Sequence, residues 1–278
     1  MRRISAAAIA ATAASLLLAT GAAAAPSWAP AGSAPVHPGV MTHTGGAQCT
    51  SNFVFYTETA IPTGGTTTDI YIGQAAHCSG TGSATDTNGC NSGSLPIGTP
   101  VDVNGASRPG TLAYNSWITM QKAGEADPDT CQYNDLALVK LDPADYGKVN
   151  PSIPHYGGPT GVTDTVADLS DVFSYGNSSL RLGISTLSPK RGKQVVQDSG
   201  GWNHTVYTVT PGIPGDSGSG FLDDQGRAFG VLSTVAIAPT PLSNGVGDVS
   251  REIAYMKAHG GPAATLAPGT VAFSGSLP

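Results

Sequence analysis

Three segments carry residue types that together can perform acyl transfer: Gln74-Ala75-Ala76-His77-Cys78, Asn134-Asp135-Leu136-Ala137-Leu138 and Pro214-Gly215-Asp216-Ser217-Gly218-Ser219-Gly220. A serine hydroxyl is a poor nucleophile near neutral pH. It needs an imidazole to take its proton, and the imidazole needs a buried carboxylate to fix its tautomer and stabilise its cation. Ser217, His77 and Asp135 are the residues that can fill those roles. His77 lies 58 residues before Asp135, and Asp135 lies 82 before Ser217, so only tertiary folding brings them together. Asp127, Asp129 and Asp142 are rival acids, but Asp135 directly precedes the apolar run 136–141, which would hold its carboxylate at the edge of a buried strand.

The elements that must position these residues are short. Glycine (37) and proline (21) occupy about a fifth of the 278 positions, against a usual share of roughly 12%. Charged residues make up only 12%, which argues against long solvated helices, coiled coils and charge-driven disorder. Between turn signals lie brief apolar or alternating stretches at 53–56, 70–72, 117–120, 136–141, 172–175, 206–209, 221–222 and 229–232. Many short strands with frequent turns predict an all-β protein of the sandwich or barrel kind. One segment, 249–259, reads as a helix: Ile253, Met256 and Lys257 follow Val249 at spacings of four, seven and eight, Asp248 can cap the start and Gly260 can end it. The long connection around 143–166 divides the strands into two groups, predicting one unit over 48–150 with His77 and Asp135 and a second over 151–260 with Ser217. Residues 25–47 read as a flexible lead-in and 261–278 as a flexible tail.

Arg2 and Arg3, an Ala-rich apolar stretch and the small residues Ala22 and Ala24 before Pro26 form a secretory signal over 1–24. No later segment approaches the roughly 20 apolar residues a membrane span needs. The formal charge of −6 becomes more negative once Arg2 and Arg3 are removed, which excludes nucleic acid as a partner. The expectation is a secreted, acidic monomer with no membrane attachment after signal cleavage. In an oxidising compartment Cys49, Cys78, Cys90 and Cys131 should form two disulfides; three pairings are possible, and Cys49–Cys78 with Cys90–Cys131 is preferred as a pair of sequential staples. A zinc site is disfavoured because the chain has neither a C-x-x-C pair nor H-E-x-x-H, and no metal or other cofactor is expected.

Taken together these segments resemble the secreted bacterial serine proteases of the trypsin/chymotrypsin type. Ala75-Ala76-His77-Cys78 is similar to the family's histidine motif, Asp135-Leu136-Ala137-Leu138 to its aspartate motif and Gly215-Asp216-Ser217-Gly218 to its nucleophile motif. Gly230–Ser233 resembles the strand lining the substrate groove, and Gly245-Val246 with the helix after it resembles the closing segment. The resemblance covers about 49–259 and implies two six-stranded antiparallel β-barrels with a C-terminal helix and a Ser217–His77–Asp135 triad between the barrels. It implies that backbone N–H groups of Gly215 and Ser217 form an oxyanion hole, and that Asp216 ion-pairs inside the protein to hold the turn. Its usual partner in many relatives, an N-terminal amine freed by processing, has no evident activation site here.

The expected activity is peptide-bond hydrolysis through an acyl-enzyme, acting on protein or peptide substrates. The alternatives are a catalytically silent binding or adhesion protein on the same scaffold, and an esterase using the same triad. Pro211 stands where relatives that cleave after Arg or Lys carry an acid, and Leu232 where relatives that cleave after Glu carry a histidine. With Ser233, Thr234, Val235 and Gly245 completing the pocket, small or medium apolar side chains are the expected substrates. The remaining histidines, His204 among them, read as surface residues and the tryptophans as packing residues.

Overall fold

The computed structural model describes residues 26–62, 65–83, 86–235 and 241–276. The expected signal over 1–24 lies outside them. Among the described residues seven strands precede residue 150: β1 (Met41–Thr44), β2 (Ala47–Thr50), β3 (Val54–Ala60), β4 (Thr66–Ala75), β5 (Pro100–Val103), β6 (Gly110–Asn115) and β7 (Leu136–Lys140). Seven follow: β8 (Asp171–Tyr175), β9 (Pro189–Asp198), β10 (Asn203–Thr208), β11 (Gly220–Leu222), β12 (Ala228–Val235), β13 (Asn244–Asp248) and β14 (Thr265–Leu266). The α-helices among the described residues are α1 (Ser116–Ala123), α2 (Pro128–Tyr133) and α3 (Val249–Ala258), accompanied by short 3-10 turns.

The strands form two antiparallel bodies. The first is an eight-stranded sheet in the order β14-β3-β4-β7-β6-β5-β1-β2, and the second is a closed barrel in the order β10-β13-β12-β11-β8-β9. The expected six-strand count therefore holds for the second body, while the first gains strands from both chain ends. The first sheet packs around Val54, Ile72, Leu112, Val139 and Met120, and the barrel around Val172, Val206, Phe221, Phe229 and Val246. A larger cluster including Phe53, Leu136, Tyr156 and Val231 joins them.

Three expectations are corrected. Residues 25–47 do not behave as a lead-in where they are described: Val36 and Val40 are buried, Val36 bridges Val149 in parallel, and β1 pairs with both β2 and β5. The segment 261–278 is not a loose tail either. Its β14 adds to the edge of β3, and Ala264, Leu266 and Ala267 are buried there. Small, proline-broken stretches carry little hydrophobic periodicity, so their burial depends on docking against a partner rather than on their own pattern. The segment 117–120, expected as a strand, lies in α1: Asn115 accepts from Ile118 N at 3.2 Å to start the helix, Gly124 ends it at φ 68°, and Trp117 and Met120, one turn apart, face the core. Four residues are too few to separate a two-residue period from a three-residue one. Helix α3 starts on its Asp248 cap, whose side chain accepts from Arg251 N.

Candidate active site

Strand β4 delivers His77. Its buried end, Ile70–Ala75, pairs with β3 and β7 and runs into a 3-10 turn, Ala76–Ser79, that carries the histidine. Asp135 stands between α2 and β7, 2% exposed. Its carbonyl accepts from Ala76 N at 2.8 Å, so the two segments are tied by backbone before any side chain meets. The carboxylate then takes three donors: His77 N to Oδ1 at 2.9 Å, His77 Nδ1 to Oδ2 at 2.7 Å and the Ser233 hydroxyl to Oδ2 at 2.6 Å. This fixes the imidazole by one ring nitrogen and leaves Nε2 for proton exchange. Burial alone would lower the His77 pKa, but the charge and hydrogen bond of Asp135 outweigh it and hold it above 6.5.

Ser217 sits in the tight turn that precedes β11. Its carbonyl accepts from Thr50 N at 2.9 Å, and Thr50 follows Cys49, which is disulfide-bonded to Cys78 beside the histidine. Gly218 has φ +88°, and a Cβ there would lie 2.6 Å from Thr50 O and 2.7 Å from Ala75 N. Only glycine lets the turn approach β2 and β4 this closely. The Ser217 turn is thus held against β2 and against the end of β4 that leads into the His77 turn. Among the described residues no hydrogen bond joins the His77 ring to the Ser217 hydroxyl. The backbone N–H groups of Gly215 and Ser217 have no acceptor among the described residues, whereas the Gly215 carbonyl is held by Gln48 Nε2 at 2.9 Å and the Thr50 hydroxyl at 2.8 Å.

Asp216 is wholly buried, and its partners come from within the chain. Arg181 meets it with both guanidinium nitrogens at 2.6 and 2.7 Å, Lys190 Nζ lies 3.0 Å away, and Ser178 N and Ile213 N donate at 3.0 and 3.1 Å. Lys190 is itself fully buried, and its pKa is lowered by burial and by Arg181 against the pull of Asp216. No freed amine is required to hold this turn.

The residues expected to line a substrate pocket are joined by hydrogen bonds. Gly212, next to Pro211, donates to Asn244 Oδ1 at 2.8 Å, Asn244 Nδ2 reaches Thr234 O at 3.3 Å, and Thr234 and Val235 pair with Gly245 and Asn244. Ser233 is the bulged residue of β12 between Leu232 and Thr234. Its hydroxyl donates to Asp135 Oδ2 at 2.6 Å. None of these residues carries a charge. Cys90 is bonded to Cys131, which ties the loop before β5 to α2. The His/Cys cluster Cys49–His77–Cys78 has both sulfurs in a disulfide, so they are not thiolates able to bind a metal.

Sequence reasoning missed several residues. Gln48, Arg181 and Lys190 support the nucleophile turn, and Glu252 accepts the Asp135 N–H at 2.8 Å. His204, expected at the surface, is fully buried between Gln194 Oε1 and Asp248 Oδ2, each at 2.9 Å. No sequence signal marks them: Lys190 heads the strongly polar strand Pro189–Asp198 and Glu252 lies in an amphipathic helix, so each reads as solvent-facing.

No protein-family model matches this chain, and no curated protein matches it. Solved structures do. Protease A of Thermobifida fusca superposes with a TM-score of 0.50 at 17% identity, covering 84% of this chain and 99% of its own. A Nocardiopsis protease gives 0.48 at 16%, covering 83% and 98%. A glutamic-acid-specific serine protease that uses a histidine triad in substrate binding gives 0.48 at 16%, covering 84% and 100%. The all-β chain, with its closed six-stranded barrel beside a second sheet, has the chymotrypsin-like fold of bacterial serine proteases.

Proposed function

We propose that the protein is a secreted serine endopeptidase in which Ser217 is the nucleophile, His77 the general base and then acid, and Asp135 the orienting carboxylate. The observation that carries this reading is the Asp135–His77 pair at 2.7 Å, with the Ser217 turn pinned through Thr50 and Gly218 to the segments beside it. Ser217 attacks the peptide carbonyl as His77 takes its proton, the N–H groups of Gly215 and Ser217 meet the oxyanion, and His77 protonates the departing amine. Water then repeats the sequence on the acyl-enzyme. No cofactor enters.

A pocket of Pro211, Thr234, Val235 and Gly245, with no charged side chain among them, favours small or medium apolar residues before the scissile bond. Arg181 and Lys190, whose nitrogens approach the Pro211 carbonyl at 3.3 and 3.2 Å, place positive charge behind that wall and disfavour Lys and Arg there. The test is covalent labelling by a fluorophosphonate, read by mass spectrometry, with a peptide-library digest of the secreted protein. Labelling confined to Ser217, abolished in Ser217→Ala, together with amide cleavage after apolar residues is expected. A folded protein that takes no label ends the hydrolase reading. Label without amide cleavage points to the esterase.

A further inference from the structure

A second carboxyl group stands at the backbone of Asp135. Glu252 projects from the first turn of α3, is fully buried, and accepts the backbone N–H of Asp135 on Oε1 at 2.8 Å. A Cβ on Gly247 would lie 2.8 Å from the same oxygen, so β13 closes over it. Oε2 is buried without a hydrogen-bond partner among the described residues, and so are both side-chain polar atoms of the adjacent Asn134 and the hydroxyl of Tyr114. The groups facing Glu252 are Asp135 at the head of β7, Asp248 at the end of β13 and Tyr114 on β6. None of these three carries positive charge.

The two carboxyl groups are provided for unequally. Asp135 has three donors, two of them from His77, whereas Glu252 has a single backbone donor and an orphaned oxygen. Where two buried carboxyls feel one another's charge, repulsion and desolvation leave the proton on the poorer-served one. Burial, with the charges of Asp135 and Asp248, holds the Glu252 pKa well above 4.5.

We propose that Glu252 is a positioning residue of the triad, holding the backbone at Asp135 through its Oε1 as a neutral carboxyl. Asp135 is then the carboxylate whose charge pairs with His77, and its backbone just before β7 is held by α3. The anchor is itself held in place: Asp248, four residues earlier, caps α3 at Arg251 N and is clamped by the buried His204. The second barrel therefore supports the acid that the first sheet presents. The catalytic consequence rests on the peptidase reading, while the geometry and protonation do not.

The decisive comparison is wild type, Glu252→Gln and Glu252→Leu, with the His77 imidazole titrated by NMR and Ser217 labelling followed by fluorophosphonate. Gln is neutral and keeps an acceptor, so the His77 midpoint should stay within about 0.3 units and labelling within about threefold. Leu removes the acceptor and should slow labelling roughly ten- to a hundredfold while the imidazole still titrates. Urea unfolding gives a reading independent of turnover. A carboxyl with a raised folded pKa contributes stability below the unfolded value of about 4.5 that is lost as pH rises through the folded value. Wild type should show that loss, and Glu252→Gln should not. A fall in the His77 midpoint of more than about half a unit in the Gln variant would mean a charged Glu252 and overturn the proposal. So would a folded Leu variant that labels as fast as wild type. If wild type takes no label, the peptidase reading fails, and the NMR and urea arms still decide the role of Glu252.

Discussion

Asp135 concentrates the chemistry of single residues, because its two oxygens bind three donors from two bodies of the fold. Asp135→Asn keeps the size but presents a donor where the imidazole needs an acceptor, and kcat should fall on the order of 10^4-fold with KM little changed. Ser233→Ala removes one donor to a charged group and should cost about tenfold to a hundredfold in kcat, read from steady-state kinetics on a peptide amide. The pH profile follows from the raised His77 pKa: protonation persists above pH 6.5, so kcat/KM should fall as pH drops through a midpoint above that value. The pairing of His77 with Asp135 was legible because each sits in a short, chemically restrictive context. Glu252 and His204 were not, since a charged or ionisable residue within an amphipathic pattern reads as solvent-facing until its neighbours in space are known.

At the scale of elements, the nucleophile turn is held by side chains from the loop before β9 and from β9 itself. Arg181→Ala leaves Asp216 buried with Lys190 as its remaining cation, and breaking such a pair costs about 3–5 kcal/mol. The urea midpoint should fall accordingly, and Ser217 labelling should be lost before the protein unfolds. Lys190→Met should be milder, because the two-pronged Arg181 contact survives. An unchanged labelling rate in Arg181→Ala would show that the turn keeps its shape unaided. The strongly apolar strand β7 and the capped helix α3 were readable as elements. Helix α1 was not: its Asn115 cap and Gly124 stop lie outside the four residues that looked like a strand.

Across the whole molecule, the two bodies are joined by a segment the sequence left unmarked. After α3 the chain returns to pair β14 with β3 in the first sheet. It then crosses to the second body, where Val271 O accepts from Gly158 N at 3.0 Å, Ser274 N donates to Tyr156 O at 2.7 Å and Phe273 packs on Phe173. Leu266→Ala, at a position 7% exposed, should cost about 2–5 kcal/mol. The loss should appear in urea unfolding monitored in either body, since one strap serves both. Residues of little sequence character become structural by where they lie.

The position of this strap sets an order of events during folding. β14 pairs with a strand roughly two hundred residues earlier, so the edge of the first sheet is completed by a contact of very long loop closure. An intermediate with β14 undocked would hold His77, Asp135 and Ser217 without the brace that fixes one half against the other. Full rigidity would arrive only when that last strand settles.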